Sequence, residues 1–351
     1  MIQPDPLVIA TLDRLLTAQC PAEVISAAED GEWPATLWQS LEETGLSRAW
    51  VPEALGGSGA SLADGFAIAR LAGRYAVPAP LVETLLAGHL LSVAGLAPPA
   101  GPLTVAPVDG NANLHISAAG GFEGRVRRVP FIRSASHVVS TIETADGIGL
   151  ALFDDSAWRV NESAGAVPGL DADATFSGKP VAIADGSEWH DTMLLMGAAV
   201  RAQQIAGALE FLLTQSTEYA KTRIQFGRPI AKFQAVQHNL AVLAGEVAAA
   251  GAAADSAMKA IVHHGVDTPS AFVAVASAKI RAGEAAGAGA AIAHQVHGAI
   301  GYTREYSLHQ RTRRLWTWRD DFYSERVWAT RLGKHICQQG ADDLWPLLTS
   351  I

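Results

Sequence analysis

The sequence predicts a mainly α chain with a small central β-domain. An N-terminal helical domain occupies residues 1–98, a middle β-barrel-like domain 99–187, and a C-terminal four-helix bundle 188–351. Three observations predict it. Apolar residues recur at helical spacing through the first segment. The middle segment alternates apolar and polar residues in short runs separated by Gly, Asp and Asn. The last segment returns to helical spacing in long Ala-rich runs.

In the first segment, Thr36-Leu-Trp-Gln-Ser-Leu-Glu-Glu-Thr-Gly reads as an amphipathic helix closed by Gly45. Pro52-Glu-Ala-Leu-Gly-Gly-Ser-Gly is a glycine-dense loop. Ser61, with Asp64 three residues on, is an N-cap signal for a helix to about Tyr75. Pro78 and Pro80 interrupt the chain before a helix from about Leu81 to Leu91. The strand candidates of the middle segment are Leu114-His-Ile-Ser, Val126-Arg-Arg-Val, His137–Ile142 and Gly149–Phe153. Four helices follow, over Met193–Arg223, Phe233–His264, Ser270–His297 and Ser324–Gln338. Gly283, Gly287 and Gly289 in the third permit close helix approach.

Composition narrows the function classes. A net charge of −9 argues against a polyanionic nucleic-acid partner. Cys20 and Cys337 lack ligand spacing, so neither a metal site nor a disulfide is expected, and both read as buried thiols of a reducing compartment. The first residues show neither a basic run nor a long apolar one, so no secretory leader is expected. The apolar stretch Leu81–Leu96 carries Glu83 and His89 and is too short for a membrane span. The expected location is cytoplasmic.

Two motifs carry chemistry. The first is Tyr219-Ala-Lys-Thr-Arg223-Ile-Gln225-Phe226-Gly227-Arg-Pro229-Ile230, followed by Phe233-Gln234. A helix ends at an arginine, a glycine turns the chain, and a proline delays the next helix. A guanidinium at such a junction either forks onto a phosphate or caps the helix against its own dipole. The second is Gln295-Val296-His297-Gly298-Ala299-Ile-Gly301-Tyr302-Thr303-Arg-Glu305-Tyr306, in which two glycines free the backbone for close approach to a ligand or simply end a helix.

Together these strings resemble the cofactor signatures of the acyl-CoA dehydrogenases. Val51-Pro52-Glu53 with Gly56-Gly57-Ser-Gly59, and Ala202–Gly207, are similar to further segments of that family, so the resemblance covers nearly the whole chain. It implies FAD as cofactor. Arg223 and Gln225 would meet its pyrophosphate and adenosine, Phe226 would pack on it, and Phe233 and Gln234 would complete the pocket. Gln295, Val296, His297, Gly298 and Ala299 would meet the phosphate and adenine region across a subunit interface. Ala299 stands where the family pattern has glycine. Phe131-Ile-Arg133-Ser134 resembles the family's flavin-facing strand. Phe131 would then cover the flavin and Arg133 or Ser134 bond near its N5 or O4, the alternative being a core phenylalanine.

The reaction needs a carboxylate base, and here the sequence departs from the family. Phe322 and Gly197 occupy the two positions where the family carries its glutamate. Asp320, Asp321 and Glu325 lie nearby, and a one-residue slip makes Asp321 the candidate base. The alternative is that all three are solvated or pair with Arg313, Arg314 and Arg319. The Thr-Glu-Pro-rich flavin loop of the family is reduced to Ala106-Pro107-Val-Asp109-Gly110. This pattern resembles the acyl-CoA dehydrogenase-like subunits of steroid side-chain catabolism. The resemblance implies dehydrogenation of an acyl-CoA to the 2,3-enoyl-CoA, with electrons passed to an electron-transfer flavoprotein. It also implies a homo-oligomer or a heterotetramer with a second such subunit. The alternatives are a half-site partner subunit without its own base, and a related flavin oxidase or monooxygenase.

Overall fold

The structure, a computed structural model, describes residues 3–106, 114–116, 121–144, 147–161, 167, 169–340 and 342–349. Pro107, Asp109 and Gly110 of the reduced flavin loop lie outside the described residues. The chain forms two compact units, residues 1–68 with 77–198, and residues 69–76 with 199–351.

The first unit opens with α1 (Pro6–Gln19), α2 (Ala22–Glu29) and α3 (Ala35–Glu43). The carboxylate of Asp5 caps α1 by accepting from the Leu7 amide at 2.8 Å, and Pro6 follows in the first helical turn. Leu12 and Leu16 of α1, Ile25 of α2, and Leu37, Trp38 and Leu41 of α3 form the buried faces. After α3 the chain turns at Gly45 with φ 70°, the left-handed conformation expected of that glycine. The next helix, α4 (Leu62–Tyr75), starts with the reciprocal cap that Ser61 and Asp64 suggested. The Ser61 amide donates to Asp64 Oδ2 at 2.9 Å, and the Asp64 amide donates to Ser61 Oγ at 3.2 Å. Helix α5 (Leu81–Val93) is apolar on nearly every side and is buried almost throughout, as a core helix must be.

The β-domain follows: β1 (Leu103–Val105), β2 (His115–Ile116), β3 (Phe122–Pro130), β4 (His137–Thr144), β5 (Gly147–Asp154), β6 (Trp158–Val160), β7 (Asp171–Gly178) and β8 (Ala182–Asp185). They make two four-stranded sheets, ordered β1-β4-β5-β8 and β2-β3-β7-β6. Only the β1–β4 pairing is parallel among them. Both sheets contribute to one core of Phe122, Val126, Val138, Ile142, Phe153, Trp158 and Phe176. Phe153 meets Phe176 edge-on, with ring centroids 5.4 Å apart. Periodicity alone did not indicate β7, because its Asp-Ala-Asp-Ala-Thr-Phe-Ser-Gly sequence is poor in strand formers. Its Asp173 serves a tertiary contact instead, accepting from the Arg128 amide at 3.0 Å and the Arg125 guanidinium at 2.7 Å, across the bulge of β3.

The second unit is built on α6 (Trp189–Thr222), whose first ten residues belong to the first unit, with α7 (Gln234–His264), α8 (Pro269–His297), α9 (Leu308–Asp320), α10 (Glu325–Gln339) and α11 (Leu344–Thr349). The last turns of α4 cross α6 closely: a Cβ at Gly207 would sit on the carbonyl oxygen of Arg70. Arg70 then ties three helices, pairing with Glu210 of α6 and Asp255 of α7. Rows of alanine, among them Ala250, Ala254 and Ala257 on α7 and Ala274, Ala278 and Ala282 on α8, are buried along this bundle. By length and composition α7 would suffice to cross a membrane; within this fold it is a bundle helix packed on α8. Sequence pattern missed α9 as a helix, since Leu-His-Gln-Arg-Thr-Arg-Arg-Leu-Trp-Thr-Trp-Arg-Asp is dominated by polar residues. Gln310, Arg311, Thr312 and Arg314 are nonetheless buried with Leu308 and Leu315. Cys20 is buried as expected. Cys337 is not: it lies on the exposed side of α10, and both thiols are free.

Candidate functional site

The end of α6 continues into a small antiparallel hairpin, β9 (Ile224–Gln225) and β10 (Arg228–Pro229). Its tip is Phe226 and Gly227, with φ of 52° and 78°. Two consecutive left-handed residues are what a tight two-residue hairpin demands, and glycine supplies the second at no steric cost. Phe226 supplies the first, and its side chain is 91% exposed. Its ring meets Phe233 edge-on at 6.0 Å, while the Arg228 guanidinium covers Phe233 at 4.4 Å. Gln234 begins α7 immediately after.

Arg223 and Gln225 are exposed. The last-turn carbonyls of Glu218 and Tyr219 are bonded by the Thr222 hydroxyl, at 3.0 and 3.2 Å. The Arg223 guanidinium makes no ion pair or hydrogen bond among the described residues. The C-terminal carbonyls of α6 are thus met by Thr222 rather than by this guanidinium.

Tyr219 links this corner to the second motif. Its ring stacks on His297 at 4.5 Å with a 25° interplanar angle, and its hydroxyl donates to the His297 carbonyl at 3.4 Å. His297 is buried and doubly held: Nδ1 lies 2.7 Å from the Ala293 carbonyl, and Nε2 lies 3.1 Å from the Tyr306 hydroxyl. Beside a carbonyl Nδ1 must carry the proton, so Nε2 accepts from Tyr306. Burial lowers the pKa of His297, opposed by the bond to Ala293. The ring is thus a neutral fixture that sets the end of α8. Val296 is buried too, so it and His297 shape the bend from within, whereas Gln295, Gly298 and Ala299 are exposed on it. Gly298 has φ 66° and ψ −145°, a conformation that only glycine holds comfortably, and a Cβ there would meet nothing within 4 Å. Gly301 is required for a different reason, since a Cβ would press on Leu308 and His294.

The carboxylates lie in the turn between α9 and α10. Asp320 is exposed. Glu325 pairs with Arg319, and that bonded guanidinium holds its carboxyl below the usual range. This is one of the alternative pairings that the sequence offered. Asp321 is 2% exposed, and its Oδ2 lies 3.0 Å from Nε of Arg201, itself 3% exposed. Arg201 is therefore engaged inside the bundle. Phe322, at the family's base position, is buried with φ 52°, and Tyr323 follows with φ 69°. The turn is held by Trp328, whose Nε1 donates to the Phe322 carbonyl at 2.8 Å, and by Lys279 of α8. Neither Arg201 nor Lys279 carries a sequence signal for these roles beyond being a lone charge on an apolar helix face. Gly197, the second base position, is buried in the first unit.

Phe131 and Arg133 belong to the first unit. Phe131 has φ 51° and packs with Ala28, Val167 and Leu170. Arg133 lies at a cavity of about 440 Å³ walled by Trp33, Trp38 and Phe131. The two tryptophan rings are 5.7 Å apart.

Comparison with known proteins gives a coherent result. The sequence profile of the acyl-CoA dehydrogenase N-terminal domain matches residues 7–96, and that of the acyl-CoA dehydrogenase C-terminal domain matches residues 184–318. The acyl-CoA dehydrogenase IpdE2 of Mycolicibacterium smegmatis is 31% identical over 301 residues, covering 85% of this chain and 88% of the relative. IpdE2 of Mycobacterium tuberculosis is 33% identical over 307 residues, covering 82% and 83%. Among solved structures, the ChsE4–ChsE5 complex from Mycobacterium tuberculosis superposes with a TM-score of 0.81 at 22% identity, covering 95% of this chain and 97% of that one. Butyryl-CoA dehydrogenase from Megasphaera elsdenii superposes with a TM-score of 0.80 at 19% identity, covering 95% and 99%.

Proposed function

The chain belongs to the acyl-CoA dehydrogenase family, and on that premise we propose that it takes part in the FAD-dependent α,β-dehydrogenation of an acyl-CoA thioester to the 2,3-enoyl-CoA, with electrons passed to an electron-transfer flavoprotein. The observation that carries this reading is the corner where α6 ends. Arg223, whose guanidinium has no ion pair or hydrogen bond among the described residues, and the outward Phe226 follow Tyr219 in the chain, and Tyr219 stacks on His297. A dinucleotide needs a cation for its pyrophosphate, an apolar surface for a ring, and backbone free of side chains. Arg223, Phe226 and Gly298 fit those needs, with Gln225, Phe233, Gln234, Gln295 and Ala299 around them. When bound, FAD supplies the acceptor for the β-hydride.

Both motifs face outward on the second unit, which favours a cofactor shared with a second protomer. The low burial of α7, 28% over its most apolar stretch, also favours an assembly, a homo-oligomer or a heterotetramer. Membership of the acyl-CoA dehydrogenase family supports a place in lipid or steroid breakdown, for which we propose the cytoplasm. Asp321 is the carboxylate proposed to take the α-proton. Its Oδ2 accepts from Nε of Arg201.

A second reading has its own observation. Asp321 is sealed in a buried ion pair and Phe322 fills the neighbouring position, which favours a half-site subunit that grips FAD while its partner supplies the base. One experiment covers the reaction: purify the protein alone and with its co-expressed partner subunit, record the flavin spectrum, and add acyl-CoAs anaerobically. Bleaching of the oxidised flavin band is expected. A colourless protein in both preparations, or flavin that no acyl-CoA bleaches, overturns the proposal.

A further inference from the structure

Lys279 lies on α8, in the middle of an alanine-rich stretch, and is 0% exposed. Burying an ammonium among apolar side chains is costly unless its donors are met. Here Nζ reaches three main-chain carbonyls, Trp318 at 3.1 Å, Arg319 at 2.6 Å and Tyr323 at 2.9 Å. Two of these are last-turn carbonyls of α9, and the third lies beyond the turn. The bonds thus span the segment that carries Asp320, Asp321 and Phe322. This segment also contains two consecutive non-glycine residues at positive φ, Phe322 and Tyr323. Such backbone persists only where the surroundings over-determine it.

We propose that Lys279 is the positioning residue of the Asp320–Glu325 segment, its three N–H donors holding the carbonyls that fix where Asp321 and Phe322 point. The proposal rests on the reading that this segment borders the acyl-CoA reaction, whichever subunit supplies the base. The stoichiometry is specific. An ammonium has three donors for three carbonyls, whereas a neutral amine has two, so loss of the proton orphans one carbonyl of the turn. Burial lowers the Lys279 pKa to about 7, opposed by the charges of Asp321 and Asp320 and aided by that of Arg201, with Glu325 opposing. The turn is therefore fully held below neutral pH and loses a donor as pH rises through neutrality.

The test uses the full-length protein with its flavin and measures hydrogen–deuterium exchange of peptides covering 318–325 at pH 6 and pH 8, divided by the intrinsic rate at each pH. Wild type is expected to exchange about tenfold faster at pH 8 than at pH 6, the loss of roughly one hydrogen bond. Lys279→Met is expected to exchange fast at both. Equal wild-type protection at the two pH values overturns the proposal, and this arm suffices even when Lys279→Met does not fold. Protection in Lys279→Met equal to wild type at pH 6 overturns it as well. Where acyl-CoA turnover is measurable, kcat/KM of the wild type should inflect near pH 7 and that of Lys279→Met should not, and an inflection retained in Lys279→Met counts against the proposal. Absence of turnover with any acyl-CoA overturns the dehydrogenase reading, while the exchange measurement still decides the role of Lys279.

Discussion

Replacing Arg201 by methionine would leave the Asp321 carboxylate without its partner in the interior of the bundle. With Arg201 and Asp321 3% and 2% exposed, solvent offers little compensation. Removing one member of such a pair costs about 3–5 kcal/mol, mostly the penalty of the charge left behind. Asp321→Asn removes a charge but keeps a carbonyl able to accept from Arg201, so its cost should be smaller, about 1–3 kcal/mol. The double replacement Arg201→Met with Asp321→Leu removes both charges and should return to within about 1–2 kcal/mol of wild type. Urea unfolding followed by tryptophan fluorescence measures all three, on the flavin-loaded assembly. The same variants separate the two readings of Asp321. An anchoring carboxylate predicts that Asp321→Asn keeps its turnover in the assembled complex. A proton-abstracting one predicts a loss of about 10²–10⁴-fold. Wild-type stability in Arg201→Met would refute the argument that the pair carries the turn. So would additive costs in the double variant.

Other outcomes follow from the same geometry. Arg223→Ala, on a side chain with no ion pair or hydrogen bond among the described residues, should leave folding within about 0.5 kcal/mol of wild type and yield protein with little bound flavin, read from the ratio of visible to ultraviolet absorbance. Gly298→Ala forces a side chain into φ 66°, ψ −145° at a cost of about 1–3 kcal/mol. It should raise the FAD dissociation constant at least tenfold in a fluorescence titration. Half-buried His89, beside Trp50 at 5.3 Å, has its pKa lowered by burial from 6.5 to about 4. Its folded pKa lies below its unfolded one, so the stability it contributes is present above pH 6.5 and lost as pH falls towards 4, up to ~3 kcal/mol. His89→Leu should flatten that part of the stability–pH curve.

What was legible in the sequence was whatever is encoded locally. The Ser61–Asp64 cap, the turn at Gly45 and the turn at Gly227 each depend on residues within a few positions of one another, and each is present. The bundle helices declared themselves by length and alanine content. The turn after α9 was not legible, because its partners are remote or anonymous. Arg201 lies 120 residues from Asp321, and the three acceptors of Lys279 are backbone carbonyls, which no side chain advertises. Helix α9 escaped because its buried face is made of arginine, glutamine and threonine, so hydropathy pointed the wrong way. Phe131 packs on Leu170, a neighbour that sequence spacing does not connect to it.

Two strained phenylalanines sit in opposite surroundings. Phe322 and Phe226 share almost the same φ, 52° in each case, a conformation that costs a non-glycine residue roughly 1–3 kcal/mol. At Phe322 the chain itself offsets the cost: the ring is buried, its carbonyl receives the Trp328 indole, and Lys279 bonds the carbonyl that follows at Tyr323. At Phe226 nothing comparable exists. The ring is 91% exposed and touches Phe233 only at its edge. Glycine there would relieve the strain and cover just as little of the chain's own surface, so the fold gives no reason for a phenylalanine. On the reading proposed above, a contact outside this chain offsets it. On the proposed reading that contact is FAD: Arg223, three residues away and without an ion pair or hydrogen bond among the described residues, suits its phosphate oxygens, and Phe226 suits its ring, at the face of a second subunit.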